Sequence, residues 1–166
     1  MIEKDYEKKR VGFARNQARS LLQRYQSKTG IKIDYEVPII DIANHLGFHI
    51  ELLDSLPDHH SAIIYPDDML IGLNKRHHPH RQRFSLGHEL GHHLLKHPPE
   101  FEVPPEEAKI CNREADEFSG ELLVPLEALK RALNHTKAIP ELSNLFNVSQ
   151  EVLTIRILNQ NLLKKL

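Results

Sequence analysis

A chain of 166 residues, 40% hydrophobic and 27% charged, has the composition of a soluble globular protein, with length for one packed core and too little for two full domains. Its formal net charge of −1 excludes a global attraction to nucleic acid or anionic membrane. One cysteine, Cys111, excludes an internal disulfide and fits a reducing cytoplasm, and neither a secretory leader nor a membrane span is read from the charged start MIEKDYEKKR or from any long apolar run.

Residues 3–28 are expected to form a helix whose apolar face carries Phe13, Ala14, Ala18, Leu21, Leu22 and Tyr25, stopped by Thr29-Gly30. Its basic residues Lys8, Lys9, Arg10, Arg15 and Arg19 read as a solvated face that also offers a partner contact. Pro38 opens a short helix closed by Gly47, and residues 48–52 follow as a strand. Residues 61–65 and 69–73, joined by Pro66-Asp67-Asp68, predict a β-hairpin. A strong helix is expected from about 81 to 97, stopped by Pro98-Pro99, and another from about 106 to 124, ended by Pro125. The remainder reads as helical, with a turn at Asn147-Val148 and Ser149 as an N-cap. The order predicts one α+β domain over 1–166. It comprises an N-terminal helix (1–30), a core with a small antiparallel sheet packed on helices (34–125) and a helix-turn-helix-like region (126–166).

His88-Glu89-Leu90-Gly91-His92 is an H-E-x-x-H pattern inside the 81–97 helix. Histidines four apart share one helix face and grip one zinc ion without distorting the backbone, and the glutamate beside the first is placed to activate a water. In a chain with 12 histidines the bare pattern arises by chance on the order of 0.1 times, so its surroundings carry the argument. Phe84, His88, His92 and Leu95 lie on one stripe, and Gly91 in mid-helix signals a backbone packed closely against it. Metzincin spacing fails, because Leu95 and Pro98 stand where glycine and histidine are needed, and His97 reads as a helix-end or outer-shell residue. On the 106–124 helix Glu114 falls nearest the apolar stripe of Ile110, Cys111, Ala115, Phe118 and Leu122. A core-facing carboxylate needs a cation: a metal, or Arg81 or Arg83 in an ion pair. Glu114 is thus the expected third ligand, with Glu121 as the fallback. Manganese or iron also suits a two-His, one-carboxylate set.

The run from Arg83 to His92 (RFSLGHELGH), followed by Glu114-Ala115-Asp116-Glu117-Phe118 and Leu122-Leu123-Val124-Pro125, resembles the ImmA/IrrE family of zinc metallopeptidases over most of residues 34–160. The resemblance implies a zincin-like fold and a gluzincin-like site with His88, His92 and Glu114 on zinc and Glu89 as general base. It also implies a protein substrate, a helix-turn-helix transcriptional repressor whose cleavage releases silenced genes. Gly87 and Ser119 depart from the family, which more usually has alanine at both places.

On this reading the substrate pairs as an added strand along an edge of the 61–73 hairpin, and Tyr65, Arg81 and His97 are the candidates to stabilise the oxyanion. Two other functions compete with it. Residues 140–159 resemble a helix-turn-helix in a locally basic region, with Gln150 and Arg156 as the obvious contacts for DNA. A non-catalytic zinc protein that binds a repressor is the other, and the presence of Glu89 argues against it.

Overall fold

In the computed structural model, which describes residues 2–166, the N-terminal helix α1 runs over Ile2–Thr29, so Met1 of the expected 1–30 segment lies outside the described residues. Val11, Ala14, Ala18, Leu21, Leu22 and Tyr25 recur at helical spacing and are buried. Phe13, expected on that face, is 54% exposed. It stands about 100° round the helix from Ala14, which turns it to solvent. The helix stops where Gly30 takes a φ of +73°, a left-handed conformation that glycine adopts without strain.

A short helix α2 (Ile39–His45) leads into a three-stranded sheet of β1 (His49–Leu53), β2 (Ala62–Tyr65) and β3 (Leu70–Asn74). β2 and β3 form the predicted antiparallel hairpin, with Ala62 opposite Leu73 and Tyr65 opposite Leu70. β1 lies on the other side of β3 and runs parallel to it, Ile50 opposite Ile71, so the sheet is mixed where an antiparallel one was expected. The reason lies in β3, whose sequence LIGLN is buried from Ile71 to Asn74, whereas β1 alternates toward solvent. The most buried strand takes the centre, and the chain must then pass from one edge to the other before the hairpin returns to the middle. Asn74 staples that passage: its Nδ2 donates to the carbonyls of Pro57 at 3.2 Å and His60 at 3.0 Å.

Helix α3 spans Pro79–Leu94 and ends before the predicted 97. Lys96 adopts a left-handed φ of +57°, and the N–H of His97 donates to the His92 carbonyl at 3.0 Å. That is a Schellman turn with lysine where glycine is usual, and it folds His97 back beneath His92. Helix α4 (Pro105–Leu123) crosses α3 on one side and α1 on the other. Short helices α5 (Leu126–Ala132), α6 (Ile139–Phe146) and α7 (Gln150–Asn159) close the core, and Ser149 caps α7 through its side chain as expected. No helix among the described residues is long and apolar enough to cross a membrane.

Two glycines set the closeness of α3 and α4. A Cβ on Gly91 would meet the Cα of Ala115 at 3.1 Å, so the two backbones pack directly there. A Cβ on Gly87 would come within 2.4 Å of the Ser119 Oγ, which donates to the Phe84 carbonyl at 2.8 Å. Gly87 and Ser119 are therefore a complementary pair, the serine hydroxyl filling the space that a methyl at position 87 would take. Gly87→Ala alone should lower stability by about 1–3 kcal/mol, because the methyl displaces the hydroxyl from its bond. Adding Ser119→Ala should recover most of that loss; additive losses in a denaturant double-mutant cycle would contradict the pairing.

Candidate metal centre

His88 and His92, one turn apart on α3, bring their Nε2 atoms to 2.9 Å from each other. Asn112 of α4 adds its Oδ1 at 3.1 Å from His92 Nε2. Behind the rings, His88 Nδ1 lies 2.8 Å from Asp116 Oδ1 and His92 Nδ1 lies 3.0 Å from His97 Nδ1. Facing a carboxylate, the Nδ1 of His88 carries its proton, which leaves a lone pair on Nε2.

Burial pushes the His92 pKa down to about 4, helped by the charges of His88 and His97, so its ring is neutral in ordinary buffers. Burial also pulls on His88, yet the hydrogen bond and charge of Asp116, with Glu89 beyond, outweigh it and raise the net value. Glu89 is raised by burial, against the opposing charge of His88. Two imidazole nitrogens at this spacing fit a borderline divalent ion such as zinc, and the neutral amide oxygen of Asn112 stands on the same side as a third, weaker donor.

Glu114 is not part of this convergence. Its carboxylate turns to α1, where Arg10 holds it with Nε at 2.9 Å and Nη2 at 2.6 Å, and its Oε2 also meets His97 Nε2 at 3.0 Å. The cation beside Glu114 in this structure is Arg10, where the sequence offered Arg81 or Arg83 as its ion-pair partner. The physical reason is that α4 has two covered faces: residues 112 and 114 lie about 200° apart around the helix, so only one of them faces α3. The fallback Glu121 is fully buried in a different network, between Arg19 at 2.9 Å and Arg156. His97, Cys111 and Glu114 also lie within 4.8 Å of one another, but the cation among them is the Arg10 guanidinium, whose Nη2 is 3.8 Å from the Cys111 Sγ.

A cleft of about 720 Å³ opens on His88, Glu89, His92 and Asn112, with Ile64 and Pro66 on one wall and Phe101 and Val103 on another. A second recess, about 330 Å³, lies across Glu89 and is lined by Ser61, Ala62, Arg81 and Asp116. β2 therefore runs from one recess to the other, and its outer side is an edge of the sheet. Of the three oxyanion candidates, Arg81 opens on the recess with Glu89 while donating to Ser61 Oγ at 2.9 Å. Tyr65 alternates to the opposite sheet face from Ile64. His97 is spent on Glu114 and His92 behind the ring.

Asn112 and Asp116 were missed in the sequence, and Arg10 was read only as part of a solvated basic face. Asn112 and Asp116 repeat on α4 the four-residue spacing of His88 and His92 on α3, which is the signal that would have found them. The basic face of α1 is also largely inward: Arg15 and Arg19 bond Glu117 and Glu121 as Arg10 bonds Glu114. Arg156, expected as a DNA contact, is 2% exposed and bound to Glu121 and to the Val124 carbonyl, so it is withdrawn from any such surface. Glu121→Gln should cost about 3 kcal/mol by stranding two arginines and leave zinc affinity unchanged; denaturant titration and metal titration read the two effects, and weakened zinc binding would return Glu121 to the site.

A family model described as IrrE N-terminal-like domain, of peptidase family M78, matches residues 43–158. No curated protein sequence matches the chain significantly. A solved structure titled Mycobacterium tuberculosis transcriptional regulator shares the fold at a TM-score of 0.60 and 17% identity, over 82% of this chain and 44% of that one. The chain thus spans less than half the length of that protein.

Proposed function

We propose that this chain, which belongs to the IrrE N-terminal-like family of M78 peptidases, is a single-domain zinc-dependent endopeptidase acting on a protein substrate in the cytoplasm. The observation that carries the reading is the convergence of His88 Nε2, His92 Nε2 and Asn112 Oδ1 beside Glu89, in a cleft bordered by a free strand edge. The assignment of the third donor moves from Glu114 to Asn112, because Glu114 is already saturated by Arg10 and His97.

Bound at these donors, zinc supplies Lewis acidity to a carbonyl and to an attacking water. The chain's own residues do the rest. β2 offers its edge to an extended substrate, which places the scissile bond across Glu89 between the two recesses. Glu89, whose carboxyl burial makes more basic than usual, takes the proton of the attacking water and passes it to the leaving amine. Arg81 is the group positioned to meet the developing oxyanion, provided it leaves Ser61. A helix-turn-helix repressor as the substrate is supported by the family resemblance.

Zinc-loaded protein should cleave a repressor encoded beside its gene, and a chelator should stop it. Glu89→Gln should retain zinc and lose at least about 100-fold in kcat; full activity in that variant sinks the base assignment. Asn112→Ala should weaken zinc binding about tenfold or more, and Asn112→Asp should tighten it by adding a charge. Unchanged affinity in both would remove Asn112 from the site.

A further inference from the structure

Phe101 is 88% exposed, more than any other large apolar side chain among the described residues. An aromatic ring left in water forgoes the stabilisation that burial brings, and here the backbone enforces the exposure. Phe101 is the middle residue of a single turn of 3-10 helix, Glu100–Glu102, between α3 and α4. Pro98 and Pro99 precede the turn, Pro104 and Pro105 follow it, and each fixes its own φ. The N–H of Glu102 closes the turn on the Pro99 carbonyl at 2.9 Å. A strap built this way holds its ring away from the core and loses little further entropy when a ligand packs on it.

The ring stands on the wall of the cleft that also holds His88, Glu89 and His92, with Ile64 on the facing wall. Beneath it the cleft is apolar, floored by the buried Ala108 and Cys111 of α4. Ala108 lies four residues before Asn112, so this floor begins about 6 Å, one helical turn, from the amide that faces His92. The side chain of a leucine, methionine or phenylalanine held beside the metal spans that distance.

The hairpin selects which side chain enters. Successive residues of a strand point to opposite faces, and residues paired across two strands share a face. Ile64 turns to the cleft, so a substrate residue that pairs with it along the free edge of β2 turns the same way. The Cys111 Sγ is engaged with Arg10 and Glu107, each at 3.8 Å, and Phe101, Ile64 and Ala108 carry no polar side-chain atom. A charged or amide side chain buried among them finds no partner, whereas an apolar one loses nothing.

We propose that Phe101 is a specificity-determining residue, enclosing with Ile64, Ala108 and Cys111 one large apolar side chain of the substrate next to the scissile bond. The inference rests on the reading of this chain as a peptidase whose substrate pairs with β2.

The test is cleavage of a synthetic peptide library of randomised sequence by the zinc-loaded protein, with every cut site read by mass spectrometry. Wild type should favour leucine, methionine or phenylalanine over alanine, aspartate or lysine at one position flanking the cut, by about tenfold or more. Phe101→Ala should lower that preference about tenfold and leave bonds without a large apolar neighbour cut at the wild-type rate. Phe101→Leu should keep most of the preference, and zinc affinity should be the same in all three proteins. An unchanged profile in Phe101→Ala overturns the proposal. So does an equal loss at every bond, which a strap that only supports the fold would give. A wild type that cuts without apolar preference overturns the subsite and leaves the peptidase reading standing. A wild type that binds zinc and cuts no peptide contradicts the peptidase reading, and the subsite falls with it.

Discussion

Helix α4 is buried on two sides, and the rest of the structure depends on how its residues are divided between them. Toward α3 it presents Ala115 against Gly91, Ser119 against Gly87, and the polar pair Asn112 and Asp116 against His92 and His88. Toward α1 it presents Glu107, Glu114, Glu117 and Glu121. Carboxylates placed in a helix interface are tolerable only with partners at hydrogen-bond distance. α1 supplies them, Arg10, Arg15 and Arg19 meeting Glu114, Glu117 and Glu121 in the same order along the two helices.

This division links stability to the site. The ladder between α1 and α4 does more than neutralise buried charge, because its first rung, Arg10 on Glu114, continues through His97 to the ring of His92. The N-terminal helix, although remote from the cleft in sequence, therefore reaches the ring of His92 on its Nδ1 side. The lower rungs have no such extension: Glu117 and Glu121 pair with Arg15, Arg19 and Arg156 and hold α7 against α4.

The helices and the hairpin were legible in the sequence because their signals are local: apolar periodicity for α1, the Pro66-Asp67-Asp68 turn for β2 and β3, a serine cap for α7. His88, Glu89 and His92 were legible as a group because spacing on one helix fixes their shared face. The mixed sheet was not, since the pairing of β1 with β3 is decided by which strand is most buried and not by chain order. Asn112 beside His92 was not legible because an apolar stripe shows that a helix is covered but not that it is covered twice. Nor does any sequence signal place Arg10 on Glu114, a contact across 104 positions. Lys96 in a left-handed conformation hid the return of His97, which a straight helix to position 97 would have carried past the site.

The central claim is that the metal lies between α3 and the Asn112 face of α4, not on the Glu114 face. Anomalous diffraction at the zinc edge from crystals of the zinc-loaded protein tests it directly. The account predicts one peak at about 2.0–2.2 Å from His88 Nε2, His92 Nε2 and Asn112 Oδ1, with Arg10 still on Glu114. A peak bound by Glu114, or one among His97, Cys111 and Glu114 with Arg10 displaced, would contradict it.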